Sequence, residues 1–299
     1  LLPSGSSARE MQPVTWEGNA LGAAARMTLY HPDKRAAELL IRQAVVETDR
    51  LERIFSLYRP DSALSELNRV GALATPPVEL VAVLQASRDV WDLTGGAFDP
   101  TVQPLWTLLA DHFRAAKPDP SGPTREQFGE ALQRVGLDKV AFSANRIVFA
   151  CPGMALTLNG IAQGFITDRI VDVLQRGGVT KTLVDMGEIR GVGSRPDGSP
   201  WKAGIEDPRD EGGLATILEV EDRAVSTSSG EGFRFDAAGH FNHLIDPRSG
   251  FGAGRYRSVA VVDPDATAAD AFSTAFSPLE ADKVGKIADR RPGLRPHLF

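Results

Sequence analysis

The chain has 299 residues, of which 42% are hydrophobic, so it is long enough to bury a sizeable core. Its formal net charge of −6 and the lack of any Lys or Arg run argue against nucleic acid or an anionic membrane surface as a main partner. The single cysteine, Cys151, excludes an intramolecular disulfide and a multi-cysteine metal site.

The start of the chain reads Leu-Leu-Pro-Ser-Gly-Ser-Ser-Ala-Arg and carries no initiator Met. A removed export signal is one explanation, and it leads us to expect a periplasmic protein, free or membrane-associated. No stretch approaches the roughly 18 apolar residues of a membrane span. We expect residues 1–14 to be a flexible lead and residues 15–299 to form a single intertwined unit, because no linker or repeat divides them.

Helical periodicity dominates the first half of the chain. The predicted elements are a strand at 23–30, a long helix over 33–57, a short helix with Leu64 and Leu67, a helix from Pro76-Pro77 to Gly95-Gly96, a Gly-rich turn at 96–101, and a helix with Trp106, Leu108 and Leu109. Thr124 and Gln127 then fit a capping box for one more helix.

Strands dominate the second half. We predict strands at 140–142, 146–150, 154–158, 181–186, 201–206, 214–221, 223–227, 241–245 and 257–262, and helices at 160–176, 266–277 and 279–289. Helices and strands that are partly segregated along the chain indicate an α+β fold rather than a doubly wound parallel sheet. The usual serine-hydrolase, P-loop and dinucleotide motifs do not occur in the sequence, so those enzyme classes lack support.

A Gly-rich junction at 157–168 joins a predicted strand to a predicted helix, with Asn159 as a good N-cap. Gly160 and Gly164 leave the first helical turn bare, and the unpaired N–H groups of such a helix start suit a phosphate. The two glycines would equally let the helix pack tightly against the sheet. The sequence leaves both interpretations open.

Two further segments carry candidate site residues. His243 and Asp246 close a predicted strand that runs into a Pro-Arg-Ser-Gly turn, where backbone can curl around an anion, although the two could also be a simple strand-end pair. Asp270 and Thr274 lie four apart on a predicted helix and can offer two oxygen ligands to Mg²⁺. Thr267 and Asp270 alternatively fit a capping box.

Taken in order, these segments resemble the ApbE family of FAD:protein FMN transferases, from about Leu21 to Asp289. The matching pieces are Leu21-Gly22, Tyr58 to Asn68, Gly96 to Asp99, Leu158 to Asp168, Val184 to Arg190, Trp201 to Pro208, His243 to Gly250 and Asp270 to Thr274. The resemblance implies a T-fold-like α+β architecture, with a mixed or antiparallel sheet and packed helices.

The resemblance also implies ligands. FAD would be held as the substrate across the two halves of the chain, at positions that match family contacts: Leu21, Tyr58, Ala97, Phe98, Asp99, Asn159, Phe165 and Ile245. Mg²⁺ would be held by the side chains of Asp270 and Thr274, with backbone carbonyls at Ala162 and Ser273.

The implied reaction is Mg²⁺-dependent transfer of FMN from FAD to a Thr or Ser hydroxyl of a membrane-associated redox protein, with release of AMP. His243 is suited to act as the general base, with Asp246 as its orienter and Arg248 as a phosphate partner. Residues 16–23 resemble the NosX-like branch that accompanies nitrous oxide reduction, and a NosR-like regulator is then a candidate acceptor.

Three departures from the family pattern keep two other functions open. Thr157 stands where relatives usually carry Asp, Gln163 stands where they often carry Lys, and the segment around Gly187 is one glycine short. With water as the acceptor, the same residues would make an FAD diphosphatase that yields FMN and AMP. Without turnover, the protein would be a flavin-binding accessory protein.

Overall fold

A computed structural model of the protein describes residues 11–207, 210 and 213–299. Its helices are α1 Lys34–Phe55, α2 Ala63–Val70, α3 Val78–Thr94, α4 Gln103–Arg114, α5 Arg125–Leu132, α6 Ala162–Arg176, α7 Ala266–Phe276 and α8 Ala281–Ala288. Its strands are β1 Gln12–Ala20, β2 Ala23–His31, β3 Ala72–Ala74, β4 Val140–Phe142, β5 Arg146–Phe149, β6 Thr182–Asp185, β7 Ile189–Val192, β8 Lys202–Glu206, β9 Leu214–Glu219, β10 Ala224–Ser229, β11 Ser258–Asp263 and β12 Arg295–Leu298.

The main sheet has seven strands in the order β1-β2-β6-β7-β10-β11-β12, and each neighbouring pair is antiparallel. Two small sheets accompany it, one of order β3-β5-β4 and one formed by β8 and β9. The sheet therefore joins strands from both ends of the chain, and α1, α6 and α7 pack on it. The predicted α+β class is confirmed.

Strand β11 explains how the layers are built, because all six of its residues are buried. Val259 and Val261 point into the main core, where α7 packs against β10 and β11. Ala260 and Val262 point the other way, into a second cluster that contains Trp201. Since successive side chains of a strand alternate between faces, a strand covered on both faces has to be apolar throughout. This arrangement brings the buried helix α7 onto the sheet.

Two predicted strands are wrong. Residues 154–158 pair with no strand, because Leu156 exchanges hydrogen bonds with the side-chain amide of Asn68 (2.8 and 2.7 Å) and the Thr157 N–H donates to the Pro100 carbonyl. Residues 241–245 form only isolated bridges, at Asn242 and Ile245. In both segments the backbone groups are satisfied by side chains and loops instead of a ladder.

Other boundaries also shift. Strand β1 includes residues 12–14, which were predicted to belong to a flexible lead, and residues 1–10 of that lead lie outside the described part of the chain, as does Pro208. The segment Val184 to Arg190, which matches a family motif, is the end of β6, a tight turn and the start of β7. The capping box of Thr124 and Gln127 is confirmed. Across the described residues, none of the helices combines the length and the apolar character needed to span a membrane.

Candidate functional site

A cavity of about 330 Å³ opens where several segments of the chain meet. Its walls come from the Gly-rich turn, α4, the junction that leads into α6, the turn before β7, the end of β10, the loop before Pro247, and α7. They include Ala97, Phe98, Asp99, Trp106, Thr157, Asn159, Gly160, Gln163, Glu188, Thr227, Ser228, Ser229, His243, Ile245, Asp270 and Thr274. The structure thus brings together eight of the predicted site residues: Ala97, Phe98, Asp99, Asn159, His243, Ile245, Asp270 and Thr274.

The Gly-rich turn is held in place by the carboxylate of Asp99. This side chain accepts hydrogen bonds from Trp91 Nε1 (3.0 Å), from the Thr101 N–H and hydroxyl (2.8 and 2.5 Å) and from the Leu137 N–H (2.9 Å). Burial raises the pKa of Asp99, and the bonds from Thr101, Leu137 and Trp91 oppose that rise. Because its oxygens are occupied by the fold, Asp99 shapes the cavity wall that Ala97 and Phe98 present.

The junction before α6 differs from its prediction. Helix α6 begins at Ala162, the residue before it is Ile161, and no side chain caps this end, so Asn159 lies in the cavity wall and is not the N-cap. A Cβ on Gly164 would come within 2.3 Å of the Ala266 carbonyl oxygen, whereas one on Gly160 would meet Thr274 Oγ1 at 2.9 Å. Gly164 therefore serves tight helix packing, and Gly160 keeps space open at the cavity.

Asp270 is the buried acid of the cavity. It is 3% exposed, and Oδ2 accepts a hydrogen bond from the Gly164 N–H at 3.0 Å. Burial raises the pKa of Asp270 to about 7, and repulsion from Asp168 adds to the rise. In the described part of the chain, no Lys, Arg or His makes an ion pair with it. A cation from outside the chain would offset this charge.

The capping-box interpretation of Thr267 and Asp270 is wrong. The start of α7 is capped by Asp168 of α6, which accepts hydrogen bonds from the N–H groups of Ala266 and Thr267 (2.9 and 2.8 Å) and from the Thr267 hydroxyl. Asp168 also forms an ion pair with Arg190. The start of α7 is thus capped by a carboxylate of α6 that is paired with an arginine. Asp270 is not needed for capping and faces the cavity.

A group of hydroxyls lies beside Thr274. Ser228 Oγ lies 2.7 Å from Ser273 Oγ and 3.4 Å from Thr274 Oγ1, and Ser226 Oγ lies 3.0 Å from Ser273 Oγ. The Ser273 carbonyl already accepts a hydrogen bond from another helical hydroxyl, that of Ser277. Ser273 and Ala162 are buried and do not line the cavity. That their backbone carbonyls bind Mg²⁺ stays a prediction.

This donor set fits a hard divalent cation. Asp270 and Thr274 supply oxygen atoms one helical turn apart, and the cavity has room beside them for water or phosphate oxygens. Among the residues that the structure describes, no group of three or more His, Cys, Asp or Glu side chains is arranged to hold a metal. Mg²⁺ keeps several waters and binds through one or two carboxylates plus substrate phosphates, so the oxygens of Asp270 and Thr274 fit it.

His243 lines the cavity with a defined tautomer. Its Nδ1 lies 3.1 Å from the Phe233 carbonyl oxygen, and since a carbonyl only accepts, Nδ1 carries the proton and Nε2 is left as the free base. Burial lowers the pKa of His243 below 6.5, against the smaller opposite effect of the Phe233 hydrogen bond. The ring is therefore neutral at pH 7, as a general base requires.

Asp246 and Arg248 do not take their predicted places. Both oxygens of Asp246 accept hydrogen bonds from the Arg248 guanidinium, each at 2.8 Å, and neither residue lines the cavity. The Phe233 carbonyl, rather than Asp246, orients His243. Because its charge is engaged by Asp246, Arg248 is not presented to a phosphate in the cavity. The idea that His243 and Asp246 form a strand-end pair is also wrong.

The three other predicted FAD contacts gather at the end of α1. The Leu21 N–H donates to Glu52 (2.5 Å), Phe165 packs edge-on against Phe55 at 5.5 Å between ring centres, and Tyr58 follows the helix with 80% of its surface exposed. None of the three lines the cavity. Phe165 lies on α6, the helix that also carries the cavity residue Gln163.

Several cavity residues are not among the predicted site residues, including Ser228, Ser229, Glu188 and Trp106. Glu188 follows a turn that the sequence marks only as a family motif, and this residue is 8% exposed. Trp106 is predicted only to lie on a helix, and its ring stacks on Phe233 at 6.0 Å while it faces the cavity. A glutamate next to a glycine turn was a usable signal for Glu188, whereas nothing in the sequence marked Trp106.

Comparison with known proteins assigns the family. The ApbE family profile matches residues 21–297. The FAD:protein FMN transferase of Haemophilus influenzae is 30% identical over 79% of this chain and 71% of that protein, and the one of Treponema pallidum is 31% identical over 92% and 81%. The apo crystal structure of the flavinyl transferase ApbE from Pseudomonas stutzeri superposes with a TM-score of 0.83 at 27% identity, covering 97% of this chain and 92% of that one. The chain therefore belongs to the ApbE family.

Proposed function

We propose that this protein transfers FMN from FAD to a Thr or Ser hydroxyl of a partner protein and releases AMP. The observation that carries the proposal is that Asp270 and His243 line the same cavity. Asp270 is buried and forms no ion pair with the described residues, and His243 is neutral with its Nε2 available to accept a proton. One group can bind a divalent cation beside a diphosphate, and the other can accept a proton. Relatives named as FAD:protein FMN transferases support the choice of substrate.

The cavity residues divide the reaction between them. Asp270 and Thr274 would hold Mg²⁺, which when bound supplies charge neutralisation for the diphosphate oxygens. The acceptor oxygen forms an ester bond to the FMN-side phosphorus, the bond from that phosphorus to the bridging oxygen breaks, and AMP leaves with the bridging oxygen. The acceptor proton passes to Nε2 of His243, which the Phe233 carbonyl keeps in position.

The group at the end of α1 would extend the FAD site beyond the cavity. Leu21, Tyr58 and Phe165 are held there by contacts with α1, and Phe165 shares α6 with the cavity residue Gln163. A dinucleotide that spans both places contacts more of the protein than FMN alone. We therefore expect tighter binding of FAD than of FMN, measured by fluorescence titration, and equal affinities would argue against this extended site.

We also propose a periplasmic location and a membrane-associated redox protein as the acceptor, with a NosR-like regulator as one candidate. This rests on the family resemblance and on the similarity of residues 16–23 to the branch that accompanies nitrous oxide reduction. Fractionation of cells that express the full-length gene tests the location, and a cytoplasmic pool without any periplasmic protein would contradict it.

The deciding experiment offers the protein FAD, Mg²⁺ and a redox domain with a candidate acceptor Thr. We expect the intact mass of the domain to rise by one FMN, and we expect no change when its acceptor Thr is replaced with Val. Free FMN and AMP without a labelled domain would support the diphosphatase function. If no FAD is cleaved in any mixture, the protein is a flavin-binding accessory protein.

A further inference from the structure

Glu188 is a second buried carboxylate in the cavity that holds Asp270 and Thr274. It lies at the end of the tight turn between β6 and β7, and its carbonyl accepts hydrogen bonds from the Met186 N–H and the Thr167 hydroxyl, both at 3.2 Å. These bonds tie the turn to α6. The position of Glu188 is thus fixed by the fold and is not that of a solvated surface acid.

Among the residues that the structure describes, the carboxylate of Glu188 has no basic partner. Burial raises the pKa of its carboxyl well above the usual range, repulsion from Asp270 raises it further, and a hydrogen bond from Ser226 opposes both. No ion pair joins Glu188 to a Lys, Arg or His of the described chain, whereas the nearby Asp168 is neutralised by Arg190. Two buried carboxylates therefore share one cavity, and neither forms an ion pair with a basic side chain of the described residues.

The described cavity residues beside the turn supply no positive charge either. A Cβ on Gly187 would lie 2.3 Å from Nε2 of Gln163, so a neutral amide fills the space next to Glu188. Thr157, which also lines the cavity, contributes a hydroxyl and no carboxylate. The negative charge of this cavity is therefore concentrated in Asp270, Glu188 and the buried Asp99, and Asp99 is already bonded by Trp91, Thr101 and Leu137.

We propose that Glu188 is an additional carboxylate ligand for the divalent cation held at Asp270 and Thr274. Carboxylate oxygens are preferred ligands of Mg²⁺ and Mn²⁺, and a doubly charged cation offsets two buried carboxylates that would otherwise repel each other. The inference rests on the proposed function only in that Asp270 binds a metal. It assigns to Glu188 a role at the metal and none in accepting the proton of the acceptor hydroxyl.

The test is a calorimetric titration of Mn²⁺ into the metal-free full chain at pH 7.5. We expect Glu188→Gln, which keeps the shape of the side chain, to weaken Mn²⁺ binding by at least about tenfold, as the loss of a group that supports a metal typically does. Glu130→Gln is the matched control, since Glu130 is an exposed acid on α5 that does not line the cavity. It makes the same change in net charge and should leave Mn²⁺ affinity unchanged.

A second readout separates ligation from a folding defect. Without metal, Glu188→Gln should melt at a temperature at least as high as that of the wild type, because it removes repulsion with Asp270, and added Mn²⁺ should stabilise it less than it stabilises the wild type. If Glu188→Gln folds and binds Mn²⁺ as tightly as the wild type, the proposal is overturned. If Asp270→Asn also leaves Mn²⁺ affinity unchanged, the metal site itself is wrong; if only Asp270→Asn weakens binding, Glu188 alone is excluded.

Discussion

Asp99 and Asp270 are both buried aspartates in the wall of one cavity, 6% and 3% exposed, and the fold treats them differently. The Asp99 carboxylate accepts bonds from three residues, which occupy both of its oxygens, whereas Asp270 accepts one recorded hydrogen bond, from Gly164. Burial raises the pKa of both acids. The difference shows how a structural acid and a reactive acid can be told apart. The structural acid has hydrogen bonds to both carboxylate oxygens, whereas the reactive acid is buried with few hydrogen-bond donors around it.

From this comparison we expect substitution of Asp270 to cause the largest loss of FMN transfer. Asp270→Asn keeps the shape and the hydrogen bond to Gly164 but removes the charge, so metal-dependent FMN transfer should fall by at least about a hundredfold, or about 2.7 kcal/mol in the barrier. The variant should be no less stable than the wild type, because it removes a buried charge. Steady-state AMP release, together with a thermal melt, checks both expectations.

Asp99→Asn is the control for that prediction. It should retain Mg²⁺-dependent transfer, because both Asp99 oxygens already accept hydrogen bonds from the protein. If the two variants lose transfer to the same extent while both remain folded, the distinction between a structural and a chemical acid fails.

The next effect is expected at His243. His243→Ala should bind FAD and Mg²⁺ as the wild type does and transfer FMN at least about a hundredfold more slowly, which is the usual size of general-base assistance. Fluorescence titration should show unchanged FAD binding, and a single-turnover assay should show the slower FMN transfer. A variant that transfers FMN at the wild-type rate would remove His243 from the mechanism.

The pH dependence of transfer supplies a signature for His243. Its pKa is lowered from 6.5 by burial, so the neutral base predominates above 6.5 and the wild-type rate should fall only as the pH drops below that value. An ion pair with Asp246 would instead raise the pKa and move the loss of rate above 6.5. A rate profile measured at saturating Mg²⁺ between pH 5 and 8 therefore distinguishes a base oriented by the Phe233 carbonyl from one oriented by Asp246.

A moderate effect on stability is expected at Asp99. Asp99→Asn replaces one accepting oxygen with an NH₂ group that cannot accept from Trp91, Thr101 or Leu137, and a buried donor left unpaired costs about 1–3 kcal/mol. The free energy of unfolding from urea titration should fall by that amount. An unchanged value would mean that the turn at 96–101 does not depend on this carboxylate.

The smallest effect is expected at Tyr58. Since Tyr58 is 80% exposed, its contact with FAD is limited to one aromatic face, worth about 0.5–1.5 kcal/mol. Tyr58→Ala should weaken FAD binding by about two- to tenfold and leave the transfer rate at saturating FAD unchanged. An unchanged affinity for FAD would show that the FAD site does not extend to Tyr58 at the end of α1.

Sequence periodicity was sufficient for the long elements of the fold. The helices α1, α3 and α6 and the buried strand β11 were predicted close to their bounds, because their apolar patterns repeat over many residues. Residues 154–158 have a strand-like composition, yet they pair with the Asn68 side chain, a contact between distant positions that periodicity cannot reveal. Short strands such as β3 and β7 offer too few residues for a pattern.

The site was predictable where a motif carries its own chemistry. The placement of His243, Asp270 and Thr274 in one cavity agrees with the family resemblance. The partners of these residues were not predictable, because they are set by packing: Asp246 bonds to its neighbour Arg248, and the Phe233 carbonyl reaches His243 from another loop. Glu188 escaped notice because its burial beside Asp270 depends on how the turn after β6 meets α6.

The most direct test of the account is the ratio of AMP released to FMN attached during a single time course with the wild-type protein, FAD, Mg²⁺ and an acceptor domain. The account predicts one AMP for each acceptor that gains an FMN mass, and neither product when a chelator removes the metal. Cleavage that continues in the chelator, or AMP in large excess over labelled acceptor with free FMN accumulating, would contradict it.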